Sequence, residues 1–401
     1  MILKSIKNRI LILMVFGSLL TACARQDDPN LYKGVTIMAY YMAPRDQYNP
    51  RELPLNKLTH IIFSFTEVMD NQMQFRHDSS AIRLQMLVKQ KRHHPNLKVM
   101  VACGGWGGSG GFSEMARNPE FRKKFVESAI RFITEYHLDG MDIDWEYPGM
   151  PGIGNPFIPE DKENFTSLMR ELREAMDATG KKLVLTFAAA GWERFFDHIE
   201  LDQVMKYATY MNMMTYDLVG GNAPYTAHHT NLGLVRFEDI AGTPADSIMK
   251  AKEDSLGPRS AEKILTFCID HGVNPSQIVI GGAFYGRAWI GVPPKNNGLY
   301  QLNRGPWNEN TRYSAIREKY EGKNGFGRFW DPVAKAPYLY NASDSIFITY
   351  DDTLSVRLKT EYAVQHGLAG IMFWQLGGDT AHDGLLDAIY DEKMKLETKD
   401  H

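Results

Sequence analysis

The residues most able to do chemistry are four carboxylates within eight positions, in the sequence Asp-Gly-Met-Asp-Ile-Asp-Trp-Glu that begins at position 139. Because successive side chains of a β-strand point to opposite faces, Asp142, Asp144 and Glu146 would project together. Ile143 and Trp145 would pack on the other face. Three like charges on one face repel one another, so at least one carboxyl group should keep its proton near neutral pH, as a general acid must. The row therefore predicts acid catalysis.

Two alternative interpretations of the row are a solvated acidic strand face and a calcium-binding loop. An EF-hand-type loop needs oxygen ligands at alternating positions, a central Gly and a closing Glu at its twelfth position. Met141, Ile143 and Trp145 do not fit such a loop. Asp139 is an odd number of positions from the other three carboxylates and would therefore point to the opposite face of the strand. The apolar spacing favours the catalytic interpretation.

Composition and charge are those of a globular protein without a broad basic surface. The chain has 401 residues and a formal net charge of −3, which gives no reason to expect nucleic acid as a partner. No group of Cys and His has the spacing of zinc ligands, so the sequence implies no metal and no other cofactor. We expect a monomer whose length suits one large barrel-like domain or two to three ordinary ones.

The N-terminal residues resemble an export and anchoring segment. Lys4, Lys7 and Arg9 precede an apolar run over residues 10–20 that is too short to span a bilayer as a stable anchor. Because the next residues complete a Leu-Thr-Ala-Cys sequence that resembles the bacterial lipobox, we expect residues 1–22 to be a signal peptide and Cys23 to be lipidated. Residues 23–33 would be a polar tether to the outer membrane or cell surface. The alternative is an ordinary signal peptide with a chance Cys.

Eight apolar runs of strand length recur along the chain, most of them separated by amphipathic helical stretches. The runs cover residues 35–41, 59–65, 98–103, 141–145, 183–189, 210–216, 278–285 and 368–374. Strands that alternate with helices imply parallel pairing, and eight apolar strands favour a (β/α)8 TIM barrel over an open doubly wound sheet. The predicted barrel comprises residues 34–287 and 351–395. Residues 288–350, where the alternation stops, are predicted to form a small α+β insertion between strands seven and eight.

Polar and aromatic residues fall at the ends of these runs. In a TIM barrel the carboxyl ends of the strands form one rim, and chemistry takes place there. Besides the carboxylate row, the rim would carry Tyr40, Trp106, Met214, Tyr216, Asp217, Tyr285, Arg287 and Trp374. Their convergence predicts one site built from several strands.

The glycine-rich stretch after the third run matches the dinucleotide pattern G-x-G-x-x-G only formally. It spans residues 105–110, where Gly is so frequent that a chance match is expected. No acidic residue follows a second strand at the required distance, and Trp106 would crowd a pyrophosphate. We expect these glycines to allow a tight turn from strand to loop.

Together the motifs resemble those of chitinases of glycoside hydrolase family 18, over nearly all of the chain after the tether. Residues 139–146, followed by Tyr147 and Pro148, match the family's Asp-x-x-Asp-x-Asp-x-Glu motif. Residues 214–217, Met-Thr-Tyr-Asp, and residues 284–287, Phe-Tyr-Gly-Arg, match its second and third motifs. The insertion resembles that of the deep-cleft subgroup, and Trp374 matches its floor tryptophan.

The resemblance implies retaining endo- or exo-hydrolysis of β-1,4-linked N-acetylglucosamine chains, with the substrate's 2-acetamido group as nucleophile. Glu146 would be the general acid and then the base, while Asp144 would orient the acetamide N–H and offset the developing positive charge. Asp142 would share a proton with Asp144. The hydroxyl of Tyr216 would donate a hydrogen bond to the acetamide carbonyl, and the ring of Trp374 would lie under the sugar as the floor of the site. The expected lining residues are Tyr40, Phe63, Trp106, Tyr147, Met214, Asp217, Tyr285 and Arg287.

Two positions depart from the family pattern. Ala102 stands where the family usually has a serine, whose hydroxyl helps a tyrosine matching Tyr40 to hold the charge of the inner aspartate. The missing hydroxyl predicts a different rate or pH optimum. The second departure, the Gln-Leu-Gly-Gly sequence at 375–378, follows the floor Trp374 and falls at the neighbouring subsite.

Two other functions are compatible with this scaffold. An endo-β-N-acetylglucosaminidase that cuts N-glycan cores would use the same acetamide chemistry, although Trp374 and the aromatic insertion favour chitin-type chains. The other alternative is a surface glycan-binding protein without catalysis. Lectins of the family typically lose the acid, and Glu146 is present.

Overall fold

The computed structural model describes residues 31–32, 34–46, 48–251 and 257–398. Eight parallel strands in this part of the chain form the closed barrel that the sequence predicts. In chain order, strands β1 to β8 are Thr36–Tyr41, His60–Met69, Lys98–Gly104, Gly140–Asp144, Val184–Ala190, Tyr210–Met214, Ile278–Ala283 and Gly370–Trp374. Each pairs with the next, and β8 pairs with β1, which closes the sheet.

Helices pack around the outside of the barrel. The α-helices of the barrel layer are Ser79–Val88, Phe112–Ala116, Pro119–Glu135, Asp161–Ala178, Leu201–Val204, Ala261–Asp270, Thr353–Gln365 and Leu385–Glu397. Another helix, Pro244–Ala251, instead packs Ala245 and Met249 into a separate core with Trp289 and Phe347. The helix before the acidic strand has a well-defined start, because the Asn118 side chain accepts the N–H groups of Glu120 and Phe121 and Pro119 lies in its first turn. This cap fixes where the helix that leads into β4 begins.

The two faces of the barrel strands belong to different cores. Inward-facing side chains, among them Tyr40 and Ala102, form a cluster inside the barrel. Outward-facing side chains such as Ile143 and Trp145 pack under the helices, and Trp145 stacks on Phe112 with ring centroids 5.2 Å apart. The predicted alternation along the acidic strand is therefore confirmed.

An antiparallel sheet lies between β7 and β8 in the chain. Its strands are Arg287–Ile290, Gly305–Pro306, Phe326–Asp331, Ala336–Asn341 and Ile346–Thr349. The sheet has its own core, in which Trp289 is fully buried among Tyr338, Tyr340 and Phe347. Since Arg287 begins this sheet and also closes the third family motif, the sheet is joined directly to the rim.

The predicted signal peptide, the predicted lipidation site Cys23 and nearly all of the predicted tether lie outside the described residues. Tyr32 is described, and its N–H donates to the hydroxyl of Tyr210 at 2.7 Å. In the described part of the chain, no helix has the length and apolar character needed to cross a membrane.

Candidate active site

Asp142 is the innermost carboxylate of the row and is fully buried. It accepts hydrogen bonds from the hydroxyls of Tyr40, at 3.0 Å, and Thr186, at 2.5 Å, and from the amide of Asn212, at 3.2 Å. Burial is the largest influence and raises the pKa of Asp142 to about 6, while the three hydrogen bonds act in the opposite direction. Asp142 can therefore gain or lose a proton at mildly acidic pH.

Asp144 lies two positions further along the same face and has fewer partners. The residue is only 5% exposed, and its Oδ1 atom has no hydrogen-bond partner among the described residues. Burial, followed by the charges of Glu146 and Asp142, raises the pKa of Asp144 well above its usual value. A buried carboxylate oxygen without a donor is unfavourable. This atom is therefore suited to accept an N–H group from a ligand.

Glu146 lies two residues beyond Asp144, the last residue of β4. Burial raises its pKa to about 7, a hydrogen bond with Tyr147 opposes the rise, and the charge of Asp217 adds to it. A carboxyl group with this pKa keeps a substantial protonated fraction at neutral pH. It can therefore donate a proton to a leaving oxygen and accept one back from water.

Tyr216 and Trp374 approach the inner cluster from the ends of β6 and β8. Among the described residues, the Tyr216 hydroxyl makes only a weak contact, 3.8 Å from the sulfur of Met372. Trp374 stacks on Phe65, with ring centroids 5.4 Å apart and planes inclined by 21°, and its centroid lies 6.1 Å from that of Tyr40. A ligand acceptor can replace the weak contact of the tyrosine, while the stacked indole is held in a fixed orientation.

A left-handed backbone conformation directs Asp217 towards Arg287. The φ angle of Asp217 is 52°, which is uncommon for residues other than Gly. His229 supports this conformation, because its Nδ1 accepts the Asp217 N–H at 3.4 Å and its carbonyl accepts the Leu218 N–H at 3.0 Å. Arg287 donates two hydrogen bonds to the carboxylate, at 2.7 and 2.8 Å. Burial alone would raise the pKa of Asp217, but the hydrogen bonds and the positive charge of Arg287 act against burial, and the pKa is lowered.

Aromatic rings adjoin Glu146 through its neighbour Tyr147. The rings of Trp106 and Trp192 meet the Tyr147 ring edge to face, at centroid distances of 6.4 and 5.6 Å. The guanidinium carbon of Arg259 lies 4.8 Å from the Trp192 ring centroid. Trp106 is 49% exposed, so it offers a flat apolar surface to a ligand beside the acid.

Sequence comparison assigns this arrangement to a known family. The model described as glycosyl hydrolases family 18 matches residues 37–379. The chain belongs to glycoside hydrolase family 18. It is accordingly a glycoside hydrolase, and its carboxylate row lies on the fourth strand of the family's barrel.

Relatives of this family 18 chain include proteins named as chitinases. Chitinase A1 of Niallia circulans is 37% identical over 307 residues, which cover 74% of this chain and 42% of that protein. Chitinase B of Serratia marcescens is 30% identical over 391 residues, which cover 83% of this chain and 75% of that protein. A solved structure of a family 18 N-acetylglucosaminidase from Paenibacillus barengoltzii is 37% identical and has a TM-score of 0.79, covering 90% of this chain and 100% of that chain.

The prediction that Phe63 lines the family 18 site is wrong. Phe63 is buried on the outer face of β2, where its ring meets that of Phe75 at a centroid distance of 6.0 Å. A register shift between Ser64 and Thr66 interrupts the alternation of β2. Because of this irregularity, Phe65 reaches the inner cluster and contacts Trp374.

The other predicted site residues gather around the carboxyl ends of the barrel strands. They are Tyr40, Trp106, Asp142, Asp144, Glu146, Tyr147, Met214, Tyr216, Asp217, Tyr285, Arg287 and Trp374. Asp139 instead precedes β4 and pairs with Lys91 at 2.7 Å. Within the described ranges, no group of three or more His, Cys, Asp or Glu side chains could hold a metal ion.

Three polar residues of the site are absent from the sequence-based prediction. Thr186 and Asn212 replace the donor that Ala102 lacks, and both interrupt otherwise apolar strands. Asn212 is two positions before Met214 and therefore lies on the same, inward face of β6. A polar residue on the inward face of an apolar strand could have been recognised from the sequence as a candidate site residue. His229 lies in a loop without periodicity, and only the fold brings it to Asp217.

Proposed function

We propose that the protein hydrolyses chitin or chito-oligosaccharides, cutting β-1,4 bonds between N-acetylglucosamine units with retention of configuration. The observation that carries the proposal is the buried Oδ1 atom of Asp144, which has no hydrogen-bond partner among the described residues. The acetamide N–H of a bound sugar would satisfy this atom. Negative charge at Asp144 would then stabilise the oxazolinium ion that forms when the acetamide oxygen attacks the anomeric carbon.

Glu146 supplies the proton in this scheme. It protonates the glycosidic oxygen as the bond to the anomeric carbon breaks and the acetamide oxygen bonds to that carbon. Water then attacks the anomeric carbon, Glu146 takes a proton from the water, and the ring of the intermediate opens. Two displacements at one carbon give net retention. The pKa of about 7, which results mainly from burial, suits a group that must act as acid and then as base.

Asp142 controls the charge of Asp144. Its three hydrogen-bond donors, Tyr40, Thr186 and Asn212, support its charged form, while burial favours its protonated form. The two effects leave Asp142 able to share a proton with Asp144. When the proton lies on Asp142, Asp144 carries the negative charge that the intermediate requires.

The remaining residues orient the sugar. Tyr216 would exchange its weak contact with Met372 for the acetamide carbonyl, and Trp374 would lie under the ring with Phe65 as its support. The pair of Asp217 and Arg287 would position the substrate next to the acid, together with Met214 and Tyr285.

The test is hydrolysis of chitotetraose compared with the fully deacetylated tetramer. We expect cleavage of the first, no cleavage of the second, and inhibition by thiazoline analogues of the intermediate. Efficient cleavage of the deacetylated chain would exclude the acetamide mechanism. A high-mannose glycopeptide serves as the third substrate, because cleavage of it alone would identify an endo-β-N-acetylglucosaminidase, and binding of chitotetraose without turnover would identify a lectin.

A second mode of action, release of single N-acetylglucosamine units, is supported by the likeness to the Paenibacillus barengoltzii N-acetylglucosaminidase. End-labelled chitohexaose distinguishes the two modes. Stepwise release of a single sugar indicates exo cleavage, and a spread of fragment lengths indicates endo cleavage.

The cellular location follows from the N-terminal sequence. A lipid on Cys23 would anchor an exported, monomeric enzyme to the outer membrane or the cell surface. Incorporation of labelled palmitate that Cys23→Ala abolishes would support the anchor. Sedimentation of the soluble Cys23→Ala form tests the monomer, and protease treatment of intact cells tests exposure at the surface.

A further inference from the structure

The glycine-rich stretch after β3 lies directly against the end of the catalytic strand. The N–H of Gly105 donates to the carbonyl of Asp144 at 2.7 Å. A Cβ atom at Gly104, whose φ is 114°, would collide with that same carbonyl oxygen. The absence of side chains at Gly104 and Gly105 therefore allows this part of the chain to approach the backbone of the acidic row. A tight turn alone would not need so close an approach.

Ser109 is the one residue with a polar side chain in this stretch, and it is almost completely buried, at 1% exposure. Its hydroxyl oxygen accepts the backbone N–H of Glu146 at 2.9 Å. The same oxygen lies 2.9 Å from the carbonyl of Gly105 and 3.0 Å from the carbonyl of Asp144, either of which can accept its proton. Ser109 thus connects the glycine-rich loop to the backbone on both sides of Trp145.

Asn155 holds the other half of the Glu146 backbone. Its amide Nδ2 donates to the carbonyl of Glu146 at 3.1 Å. The loop that carries Asn155 follows β4, and Gly152 lets it approach, because a Cβ atom there would collide with the Glu146 carbonyl oxygen. The N–H and the C=O of Glu146 are therefore bound by side chains from two different loops.

The barrel sheet does not hold Glu146 in this way. The register pairs of β4 with its neighbours β3 and β5 extend only as far as Gly104 with Asp144 and Ile143 with Phe187. Glu146 lies beyond these pairs, so its backbone position depends on contacts other than the strand ladder. Ser109 and Asn155 provide such contacts at normal hydrogen-bond distances.

We propose that Ser109 and Asn155 are positioning residues that fix the backbone of Glu146 and thereby aim its carboxyl group at the glycosidic oxygen. The proposal rests on the role of Glu146 as the general acid. A general acid must come within about 2.6–3.2 Å of the oxygen that it protonates, and an error of about 1 Å in position can lower a rate by about two orders of magnitude. Two side-chain hydrogen bonds on one residue are a direct way to prevent such an error.

The test compares Ser109→Ala and Asn155→Ala with Ser128→Ala as a matched control. Ser128 is also buried, at 6% exposure, and its hydroxyl likewise accepts a backbone N–H, from Met73 at 2.9 Å, and donates to a backbone carbonyl, that of Phe125 at 2.6 Å. On chitotetraose we expect each of the first two variants to lower kcat at least about tenfold, with KM changed less than about twofold. The control should retain the wild-type kcat. An equal loss in Ser128→Ala would show a general effect of losing a buried hydroxyl and would overturn the proposal.

A second substrate separates positioning of the acid from a structural role. A dinitrophenyl glycoside of N,N′-diacetylchitobiose has a leaving group that needs little protonation, so kcat/KM for release of dinitrophenol, which reports the first step alone, depends weakly on the general acid. We expect the losses in Ser109→Ala and Asn155→Ala to shrink to less than about threefold on this substrate. Equal losses on both substrates would contradict the proposal. Asn155 is partly exposed, so Asn155→Ala keeps the test valid if Ser109→Ala does not fold.

The same pair of substrates distinguishes failure of this proposal from failure of the proposed function. Glu146→Gln alone should abolish chitotetraose cleavage and largely spare kcat/KM for release of dinitrophenol, because that release needs neither the acid nor the base that acts on water in the second step. If it does not, the role of Glu146 is wrong. If it does, and the two Ala variants behave like the control, only the positioning role is wrong.

Discussion

The Thr186 hydroxyl donates a hydrogen bond of 2.5 Å to the Oδ1 atom of Asp142, from β5 to the neighbouring strand β4. Asn212, on β6, donates to the same oxygen at 3.2 Å. Ala102 pairs with Asp142 in the register of β3 and β4 and offers no hydroxyl. The inner aspartate is therefore held from the β5 and β6 side of the barrel and by Tyr40, rather than from β3.

Thr186→Val should lower kcat/KM about tenfold on the acidic side of the pH profile, because it removes a buried hydrogen bond to a charged group, worth about 1.5–3 kcal/mol, and the carboxylate pair then takes up its second proton at higher pH. It should also move the acidic limb of the pH–rate profile to higher pH, since loss of a donor to the carboxylate raises the pKa of Asp142. Ala102→Ser should change kcat/KM less than about threefold, because three donors are already present. Profiles on chitotetraose check both variants, and a larger effect of Ala102→Ser would refute this account.

Glu146→Gln should lower kcat on chitotetraose by about two to four orders of magnitude, the usual contribution of a general acid. Binding should change little, because the amide has the same shape as the carboxylic acid. Calorimetric titration of the variant with chitotetraose measures the affinity. Turnover close to that of the wild type would exclude the assignment.

The wild-type rate should fall as the pH rises past about 7, the pKa to which burial mainly raises Glu146. The acid must be protonated to donate, and above its pKa the protonated fraction decreases tenfold per pH unit. The basic limb of kcat/KM reports this group in the free enzyme. A rate that stays constant up to pH 9 would contradict the raised pKa.

His229→Leu should move the basic limb to lower pH and raise KM. Without the Nδ1 acceptor, the left-handed backbone of Asp217 loses a support, and the carboxylate that raises the pKa of Glu146 is positioned by Arg287 alone. His229→Asn keeps an acceptor near the same position and should behave like the wild type. The measurement compares the pH–rate profiles of His229→Leu and His229→Asn. Identical profiles for the two variants would exclude a role of His229 as a support for the Asp217 backbone.

Phe65→Leu and Phe63→Leu test the correction on β2. Phe65 stacks on Trp374, so its loss should raise KM for chitotetraose several-fold. Phe63 packs under the helix layer against Phe75, and its loss should lower the free energy of unfolding by about 1 kcal/mol without a change in KM. Kinetics together with thermal unfolding distinguish the two effects, and the reverse result would restore Phe63 as a lining residue.

The fold was largely predictable because parallel barrel strands are apolar on both faces and stand out as continuous runs. The predicted starts and ends of the strands fall within a few residues of those observed, except that β2 continues to Met69. Its continuation contains the register shift after Ser64, and strict alternation could not anticipate that Phe65 would turn inwards. A local irregularity of this kind depends on the neighbouring strand, which a single run of sequence does not contain.

The sequence by itself determined that Asp142, Asp144 and Glu146 lie on one side of a strand and that a barrel rim collects the matching motifs. The tertiary structure decided which groups support them. Thr186, Asn212 and His229 reach their partners across strands and loops far apart in the chain, with separations that no spacing rule encodes. Hydrogen bonds depend on distance and direction in space, so only the folded chain specifies which donor meets which carboxylate.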